Sequence, residues 1–361
     1  MTGTRTATMP FAGHRFHVVT DATFVAPQER YLRAFVPEHR LAPPCGKETT
    51  VRVRHDADLF QDRRARVVGA PSLTVVPFRG EPYRSCQLDQ ITWWRPGPNT
   101  RLPQDHLYAR DAAGRLTVLL APGAERGERY LMHIVREVVL RCAENRGWTS
   151  FHAAAAALDD HGMLIAAPSG AGKTTVLTAL AAHHGADLIA SDRALITADA
   201  RTVAGVPISV RIGGGTLSAV APREGLPNPH TLPDTFGSAR KAALTPREFA
   251  RAFSSRIRET ALLRLVVIPR LHSDGQGLRS RVLGAAQART ALAAACCTPH
   301  DEDWREPWFA VRTRPVDDLA RQAAALIESL VATVPVLAIT AGVHSPGLLE
   351  RVADTVTGRL W

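Results

Sequence analysis

A glycine-rich turn near the middle of the chain carries the residue types that bind phosphate. An apolar stretch at 163–166 precedes it and an Ala- and Leu-rich stretch at 176–182 follows it, which predicts a strand and a helix. The turn matches the Walker A pattern G-x-x-x-x-G-K-[ST], with Ala167 at the first glycine position. Because glycine has no Cβ, Gly170 and Gly172 let backbone N–H groups approach phosphate oxygens. The residues predicted to contact nucleotide phosphates are Ser169, Gly170, Ala171, Gly172, Lys173, Thr174 and Thr175.

Two side chains of this turn have distinct predicted roles. Lys173 supplies a mobile positive charge for the β- and γ-phosphates, and Thr174 offers a hydroxyl ligand to Mg²⁺. The helix predicted to begin near Lys173 adds unpaired N–H groups and the positive end of its dipole. Ala167 fits the first position of the motif if its φ is negative. ATP and Mg²⁺ are therefore the predicted cofactors.

The scarcity of lysine adds weight to Lys173 and draws attention to a second position. Of the 44 Lys and Arg residues, three are lysine: Lys47, Lys173 and Lys241. A lysine retained in such a composition can mark a site where the planar fork of arginine does not fit. Lys173 is such a case. For Lys241, contact with phosphate or acceptor is one interpretation and sequence drift is the other.

A carboxylate follows the next predicted strand. Residues 188–190 are apolar and lead into Ser191-Asp192-Arg193. Beside a P-loop, Asp192 at a strand tip can bind Mg²⁺ or accept the proton of the attacking hydroxyl. A turn or helix-capping aspartate is the structural alternative. His152 precedes an alanine run at 153–157, which predicts a strand that enters the sheet before the P-loop strand.

These features together resemble the catalytic domain of HPr kinase/phosphorylase, and most closely its kinase-like relatives encoded with peptide natural-product genes, such as lasso-peptide serine kinases. The resemblance rests on Ser150-Phe151-His152, the P-loop and Ser191-Asp192-Arg193, and is good over residues 151–197. It implies catalytic roles for Asp192, Lys173 and His152, the last beside the γ-phosphate. It also suggests that Arg211, at the end of a Pro-Ile-Ser-hydrophobic-basic segment, faces the phosphates or the acceptor. A surface arginine is the alternative.

The chain departs from the family pattern at several positions. The family has an Asp-Asp pair where this chain has Asp192 between Ser191 and Arg193, so Asp192 aligns with either member. Thr175 stands where HPr kinases often have glutamate, and the downstream HPr kinase signature is not found. These departures argue against HPr as the acceptor.

Composition limits the class of protein. At 361 residues the chain is long enough for about two domains, and no apolar run approaches the length of a transmembrane helix. The N-terminus lacks a signal pattern, so we expect a cytoplasmic location.

The net charge of +10 is spread along the chain without a recognisable nucleic-acid module, which favours anionic ligands such as a nucleotide or an acidic peptide. Five cysteines without metal-like spacing predict reduced structural thiols.

Residues 1–128 predict a small β-rich domain. Strands are expected at 14–20, 49–53 and 73–77, and a hairpin is expected from 107–110 and 116–120. Trp93-Trp94 is interpreted as a packed aromatic pair, with a ligand-stacking patch as the alternative. Residues 129–361 are assigned to the catalytic domain, which opens with an amphipathic helix at 129–146.

The rest of the catalytic region alternates loops, helices and strands. Residues 221–241 predict a long loop that acts as a lid or binds the acceptor. Thr245-Pro246-Arg247-Glu248 has the pattern of a capping box at a helix start. If that helix is long enough, Arg247, Arg251 and Arg258 share a face, either solvated or facing an acidic peptide. The remaining elements expected are a strand at 262–268 ended by Pro269, helices at 285–296 and 320–331, a strand at 334–339 and a helix at 345–357.

The sequence thus predicts an α/β fold, with a P-loop core of the HPr-kinase type following a β-rich domain. The predicted function is ATP- and Mg²⁺-dependent transfer of a phosphoryl group to a hydroxyl on a peptide serine or a small metabolite. One alternative is a nucleotide-binding regulator or scaffold that hydrolyses ATP slowly. Another is a peptide- or nucleic-acid-binding partner with a vestigial P-loop, although the sequence disfavours nucleic acid and predicts no membrane span. The sequence leaves a homo-oligomer open.

Overall fold

A computed structural model describes residues 4–21, 30–37, 48–78, 80–98, 100, 102–124, 127–220, 223–233, 237–273 and 277–360. The chain divides into two compact units, one formed by residues 1–36, 43–142 and 300–313, the other by residues 37–42, 143–299 and 314–361. The predicted boundary between 128 and 129 falls inside the first unit, because most of the helix that follows it groups with the N-terminal strands. Cys45, Lys47 and parts of the predicted 221–241 loop lie outside the described residues.

One mixed sheet forms the centre of the first unit. Its strands are β1 Thr4–Phe11, β2 His14–Asp21, β3 Glu48–His55, β4 Leu73–Phe78, β5 Glu81–Leu88, β6 Ile91–Pro96, β7 His106–Arg110 and β8 Leu116–Leu120. Their spatial order is β1-β2-β3-β8-β7-β6-β5-β4, and the two pairings of β3 are parallel. Two helices with described bounds in this part of the chain are α1 Ala57–Gly69 and α2 Gly127–Asn145.

Sequence patterning located much of this sheet. The three predicted strands and the predicted hairpin are confirmed as β2, β3, β4 and β7–β8. Trp93 and Trp94 are both buried, but they pack in different surroundings, Trp93 with Phe60 and Leu107 and Trp94 against the rings of Trp308 and Phe309. Helix α1 was not predicted, because only Phe60 and Val67 are buried along it and its apolar periodicity is weak. Asp56 caps its first turn by accepting from the Leu59 N–H.

The second unit contains ten strands and six helices among the residues that the structure describes. The strands are β9 Thr149–Leu158, β10 His161–Ala166, β11 Asp187–Ala190, β12 Arg193–Ile196, β13 Thr202–Gly205, β14 Val210–Ile212, β15 Ala242–Leu244, β16 Thr260–His272, β17 Arg279–Val282 and β18 Val336–Gly342. The helices are α3 Lys173–His184, α4 Gly214–Ala219, α5 Pro246–Phe253, α6 Ala285–Ala295, α7 Val316–Thr333 and α8 Leu348–Thr357.

Strand β9 connects the two elements that carry the candidate site. One edge of β9 pairs antiparallel with β10, the strand that enters the P-loop. Its other edge pairs first with β11 and then with β12, so the break between them at residues 191–192 lies beside β9. Strand β10 also runs parallel to β16, and β16 runs parallel to β18.

The alanine run of β9 is buried on both faces of this sheet. Ala154 and Ala156 pack in one hydrophobic core with residues of α3 and α8, whereas Ala153, Ala155 and Ala157 pack in a second core with residues of α6 and α7. A strand covered on both faces carries apolar residues without alternation, as this run does. The outcome is a mixed α/β architecture with helices on both sides of the sheet.

Most of the elements predicted after the P-loop are present, but two expectations were wrong. Pro269 does not end β16, which continues to His272 and pairs with β18 through this segment. Helix α5 ends at Phe253, so Arg258 cannot share its face with Arg247 and Arg251. The capping box is confirmed, because Thr245 accepts from the Glu248 N–H while the Glu248 carboxylate accepts from the Thr245 N–H. Across the described ranges, no helix combines the length and apolar character needed to cross a bilayer.

Candidate active site

The P-loop joins the end of β10 to the start of α3. Gly170 has φ 82° and Gly172 has φ 108°, values in the left-handed region that disfavours other residues. A Cβ on Gly172 would lie 2.5 Å from Leu271 Cδ1, and the Leu271 N–H donates to the Ala171 carbonyl over 3.1 Å. The loop is therefore packed against the end of β16 and tolerates only glycine at position 172. Ala167 is buried and does not have positive φ, so it meets the condition set for that position.

Lys173 is the buried cation of this loop. Its Nζ donates to the carbonyls of Ala167 at 2.7 Å and Pro168 at 3.1 Å. Burial lowers the pKa of Lys173 to about 8, against the attraction of Asp192 and with the repulsion of Arg193 and Lys241. An anion bound at the loop would favour the charged form of this ammonium group and raise its pKa.

Asp192 lies where β11 ends and β12 has not yet begun. The Ala153 N–H donates to its backbone carbonyl over 3.1 Å, which keeps the break attached to β9. In the β9–β12 ladder, Arg193 is directly opposite His152. The Asp192 carboxylate is consequently held from two sides, with Oδ1 at 3.3 Å from His152 Nε2 and Oδ2 at 2.6 Å from Arg193 Nη1.

These partners determine the acidity of Asp192. Burial alone would raise its pKa, but the hydrogen bond with His152 and the positive charges of Arg193 and Lys173, together with that of His152 when its ring is protonated, lower the pKa of Asp192 to about 2. The group is therefore an anion throughout the physiological range. A carboxylate this acidic accepts a proton poorly at neutral pH, although it can still bind a cation or orient an imidazole.

A segment that we call the bridging segment, residues 206–216, links the Asp192 junction to the start of α3. At its beginning, the Val206 N–H donates to the Arg193 carbonyl, and Ser191 Oγ donates to the carbonyls of Ile208 and Ser209. At its end, Thr216 Oγ1 lies 2.9 Å from Thr175 Oγ1. The same eleven-residue stretch thus contacts both predicted catalytic elements, the Asp192 junction and the first turn of α3.

The structure brings together some of the predicted site residues and leaves one apart. His152, Asp192 and Lys173 interact through direct contact or charge. Arg211 lies instead on the exposed face of β14, where its Nη2 donates to the Ala239 carbonyl at 3.3 Å. Thr175 contacts Thr216, whereas Ser169 and Gly170 are exposed at the loop tip.

Sequence reasoning missed the role of Arg193 in this arrangement. Its side chain is fully buried, whereas the sequence comparison identifies Arg193 only as a neighbour of Asp192 where the family has a second aspartate. A signal was present, because Arg193 opens the apolar stretch Arg193-Ala194-Leu195-Ile196. A charge on such a strand must be paired when the strand is buried, and Asp192 is the adjacent carboxylate.

Thr174 and Asp192 are the oxygen donors that the sequence predicts to bind a cation at this site. Among the residues that the structure describes, no group of three or more His, Cys, Asp or Glu side chains could hold a metal ion. Cys296 Sγ donates to the Thr298 carbonyl, and burial raises the pKa of this thiol to about 11. Mg²⁺ needs fewer protein ligands, since it takes one or two from the protein and the rest from phosphates and water. Thr174, in the first turn of α3, and Asp192 are oxygen donors of that type.

Comparison with known proteins gives no independent support for a family. No protein-family model matches this sequence, and no curated protein matches it either. The resemblance to kinases of the HPr kinase type therefore stays a prediction that rests on the residues of the site.

Proposed function

We propose that this protein is an ATP-dependent kinase that transfers the γ-phosphoryl group to a hydroxyl. The observation that carries the proposal is the Asp192 carboxylate, which contacts His152 and Arg193 and whose charge acts on the P-loop Lys173. A phosphate-binding loop alone indicates nucleotide binding. A partly buried acid–imidazole pair next to it adds the means to handle a proton, which phosphoryl transfer to a hydroxyl requires.

The nucleotide phosphates would be bound by the loop and the start of α3. Unpaired N–H groups at the first turn of the helix favour an anion there, and Lys173 would exchange its two carbonyl contacts for phosphate oxygens. This exchange compensates for the burial of the ammonium group. Lys173 would also neutralise charge that develops on the β–γ bridging oxygen as ADP leaves.

Thr174 and Asp192 are the residues that would hold Mg²⁺, together with phosphate oxygens. Both supply oxygen, which is the donor that this ion prefers, and Asp192 is ionised at neutral pH. The bound ion would neutralise the phosphates and fix their geometry. The remaining chemistry belongs to side chains of this chain.

His152 is the residue that we assign to proton transfer, with Asp192 as its orienting partner. As the acceptor oxygen bonds to the γ-phosphorus and the bond to the bridging oxygen breaks, the hydroxyl proton must move to a base. Asp192 is too acidic for this role at neutral pH, whereas an imidazole held by a carboxylate is suited to it. This assignment chooses between the two roles that the sequence left open for Asp192.

The acceptor is proposed to be a peptide serine or a small hydroxyl metabolite. A second candidate function, a nucleotide-binding regulator with slow ATP hydrolysis, is favoured by one observation. The strong acidity of Asp192 removes the carboxylate as a base, and without His152 acting in its place the site would bind ATP and transfer little.

A comparison of ADP release with and without acceptors separates the two functions. The purified protein is incubated with ATP and Mg²⁺, and ADP is measured alone and in the presence of each member of a panel of serine peptides and hydroxyl metabolites. A kinase releases ADP faster with at least one acceptor, and Lys173→Met abolishes the increase. A regulator binds ATP and shows the same slow rate with every acceptor.

A further inference from the structure

Lys241 immediately precedes a strand that is fixed beside the P-loop helix. Strands β14 and β15 pair antiparallel, with Ile212 opposite Ala242, so Lys241 lies level with Gly213 at the end of the bridging segment. Arg211 Nη2 also donates to the Ala239 carbonyl, and this hydrogen bond attaches the backbone just before Lys241 to β14. The position of Lys241 is thus set by the backbone pairing of two strands.

This hairpin is in turn anchored to α3. Val210 and Ile212 of β14 pack in the same hydrophobic core as Val176 and Leu177 of α3. Gly213 precedes α4, whose Thr216 hydroxyl lies 2.9 Å from the Thr175 hydroxyl in the first turn of α3. The start of β15 is therefore carried toward the phosphate-binding end of α3.

Two ammonium groups contribute to the charge near this end of α3. Lys241 is half-buried, and its positive charge acts on Lys173. The nearby carboxylate, Asp192, is already bonded to His152 and Arg193. The charges of Lys173 and Lys241 repel each other, and an anion bound between the two ammonium groups would be attracted to both.

We propose that Lys241 is a second phosphate-binding cation, which contacts the terminal phosphate of a bound nucleoside triphosphate together with Lys173. The inference rests on the proposed function and adds a residue that recognises the third phosphate. It also explains why lysine is kept at these positions although arginine predominates. Only three of the 44 Lys and Arg residues are lysine, and the charges of two of them act on each other at this site. A compact ammonium group fits between loop and phosphate where the planar fork of arginine is broader.

The test is a titration of the full chain with two nucleotides in the presence of Mg²⁺. Calorimetry measures the affinity of a non-hydrolysable triphosphate, AMP-PNP, and of ADP for the wild type, Lys241→Met and Arg240→Met. Arg240 is the matched control, because it is the preceding residue, carries the same charge and is exposed. Lys241→Gln is a second variant that keeps polarity at the site, and thermal melting checks that each variant is folded.

The expected result is a selective loss of the triphosphate. Removing a charged hydrogen-bond donor from the terminal phosphate should weaken AMP-PNP binding roughly tenfold in both Lys241 variants, and ADP binding should change less than about twofold. Arg240→Met should alter neither affinity. An equal loss for both nucleotides, or no loss for either, would overturn the inference while leaving the kinase proposal intact. A wild type that binds neither nucleotide would overturn both.

Discussion

Asp192 shows how a single carboxylate can be assigned a role from its contacts. His152 fixes one oxygen and the buried Arg193 fixes the other, so the carboxylate has little freedom to rotate. These contacts stabilise the anion, which makes Asp192 a good partner for an imidazole and a weak base. In the proposed kinase reaction, proton transfer therefore depends on the pair that Asp192 forms with His152.

Replacing Asp192 with asparagine removes the charge while keeping the shape of the side chain. We expect Asp192→Asn to lower phosphoryl transfer by roughly 10²-fold or more, because His152 loses its charged partner and Mg²⁺ loses a ligand. Nucleotide binding through the P-loop should persist. Initial rates and calorimetric affinities measure the two effects separately.

Asp160→Asn is the matched control for this variant. Asp160 is an exposed carboxylate that pairs with Arg258, so its loss should leave the rate unchanged. If Asp192→Asn kept most of its transfer rate, the acidic partner and the proposed metal ligand would both have to lie elsewhere.

At the scale of elements, the P-loop depends on the strand that packs against it. Leu271 occupies the space that a side chain at position 172 would need, whereas nothing lies within 4 Å of a Cβ at position 170. Both glycines have positive φ, so both substitutions by alanine carry backbone strain. Comparing the alanine variants at the two positions thus separates the effect of backbone strain from the effect of steric conflict with Leu271.

Gly172→Ala should therefore be more damaging than Gly170→Ala. We expect Gly170→Ala to lower the free energy of unfolding by about 1 kcal/mol, and Gly172→Ala to lower it by about 2–4 kcal/mol with loss of nucleotide binding. Chemical denaturation and nucleotide titration provide the two readings. Equal stabilities for the two variants would show that Leu271 does not constrain the loop.

Local elements could be predicted from the sequence because their signals lie within a few residues. The capping box at Thr245, the alanine strand β9 and the P-loop turn are examples. The arrangement of the site could not be predicted in the same way, because it depends on strand pairing between distant residues. The pairing of β9 with β12 brings His152 to Asp192, and the pairing of β14 with β15 sets the position of Lys241. The prediction that Pro269 ends β16 was wrong for a related reason. Proline lacks a backbone N–H, and this loss breaks a strand only where a neighbouring strand would accept a hydrogen bond from that N–H.

At the scale of the whole molecule, acid should lower the free energy of unfolding, because a buried histidine of the first unit resists protonation. His133 on α2 lies 3.4 Å from the Tyr108 hydroxyl and against the ring of Phe78. Burial first, and then the charges of Arg136, His106 and Arg129, lower the pKa of His133 to about 3. In the unfolded chain this imidazole titrates near about 6.5, so between these values the unfolded state binds the extra proton.

The free energy of unfolding should consequently fall as pH is lowered from about 6.5 toward 3. We expect His133 to contribute a loss of about 2 kcal/mol between pH 6.5 and 4, less than the full shift implies because the residue is partly exposed. Urea denaturation at several pH values should show a shallower dependence for His133→Gln. His230→Gln, at an exposed histidine, should keep the dependence of the wild type.

The central claim is that a hydroxyl acceptor gains the γ-phosphoryl group of ATP at the site formed by Lys173, Asp192 and His152. Mass spectrometry of acceptors after incubation with the protein, ATP and Mg²⁺ tests it most directly, with serine peptides matched to the same peptides carrying alanine. We expect the wild type to add one phosphoryl group to a serine peptide or a hydroxyl metabolite and to leave the alanine peptides unmodified. Lys173→Met should form roughly 10²-fold less product. Product formation at the wild-type rate by Lys173→Met, or ATP binding without a phosphorylated acceptor anywhere in the panel, would contradict it.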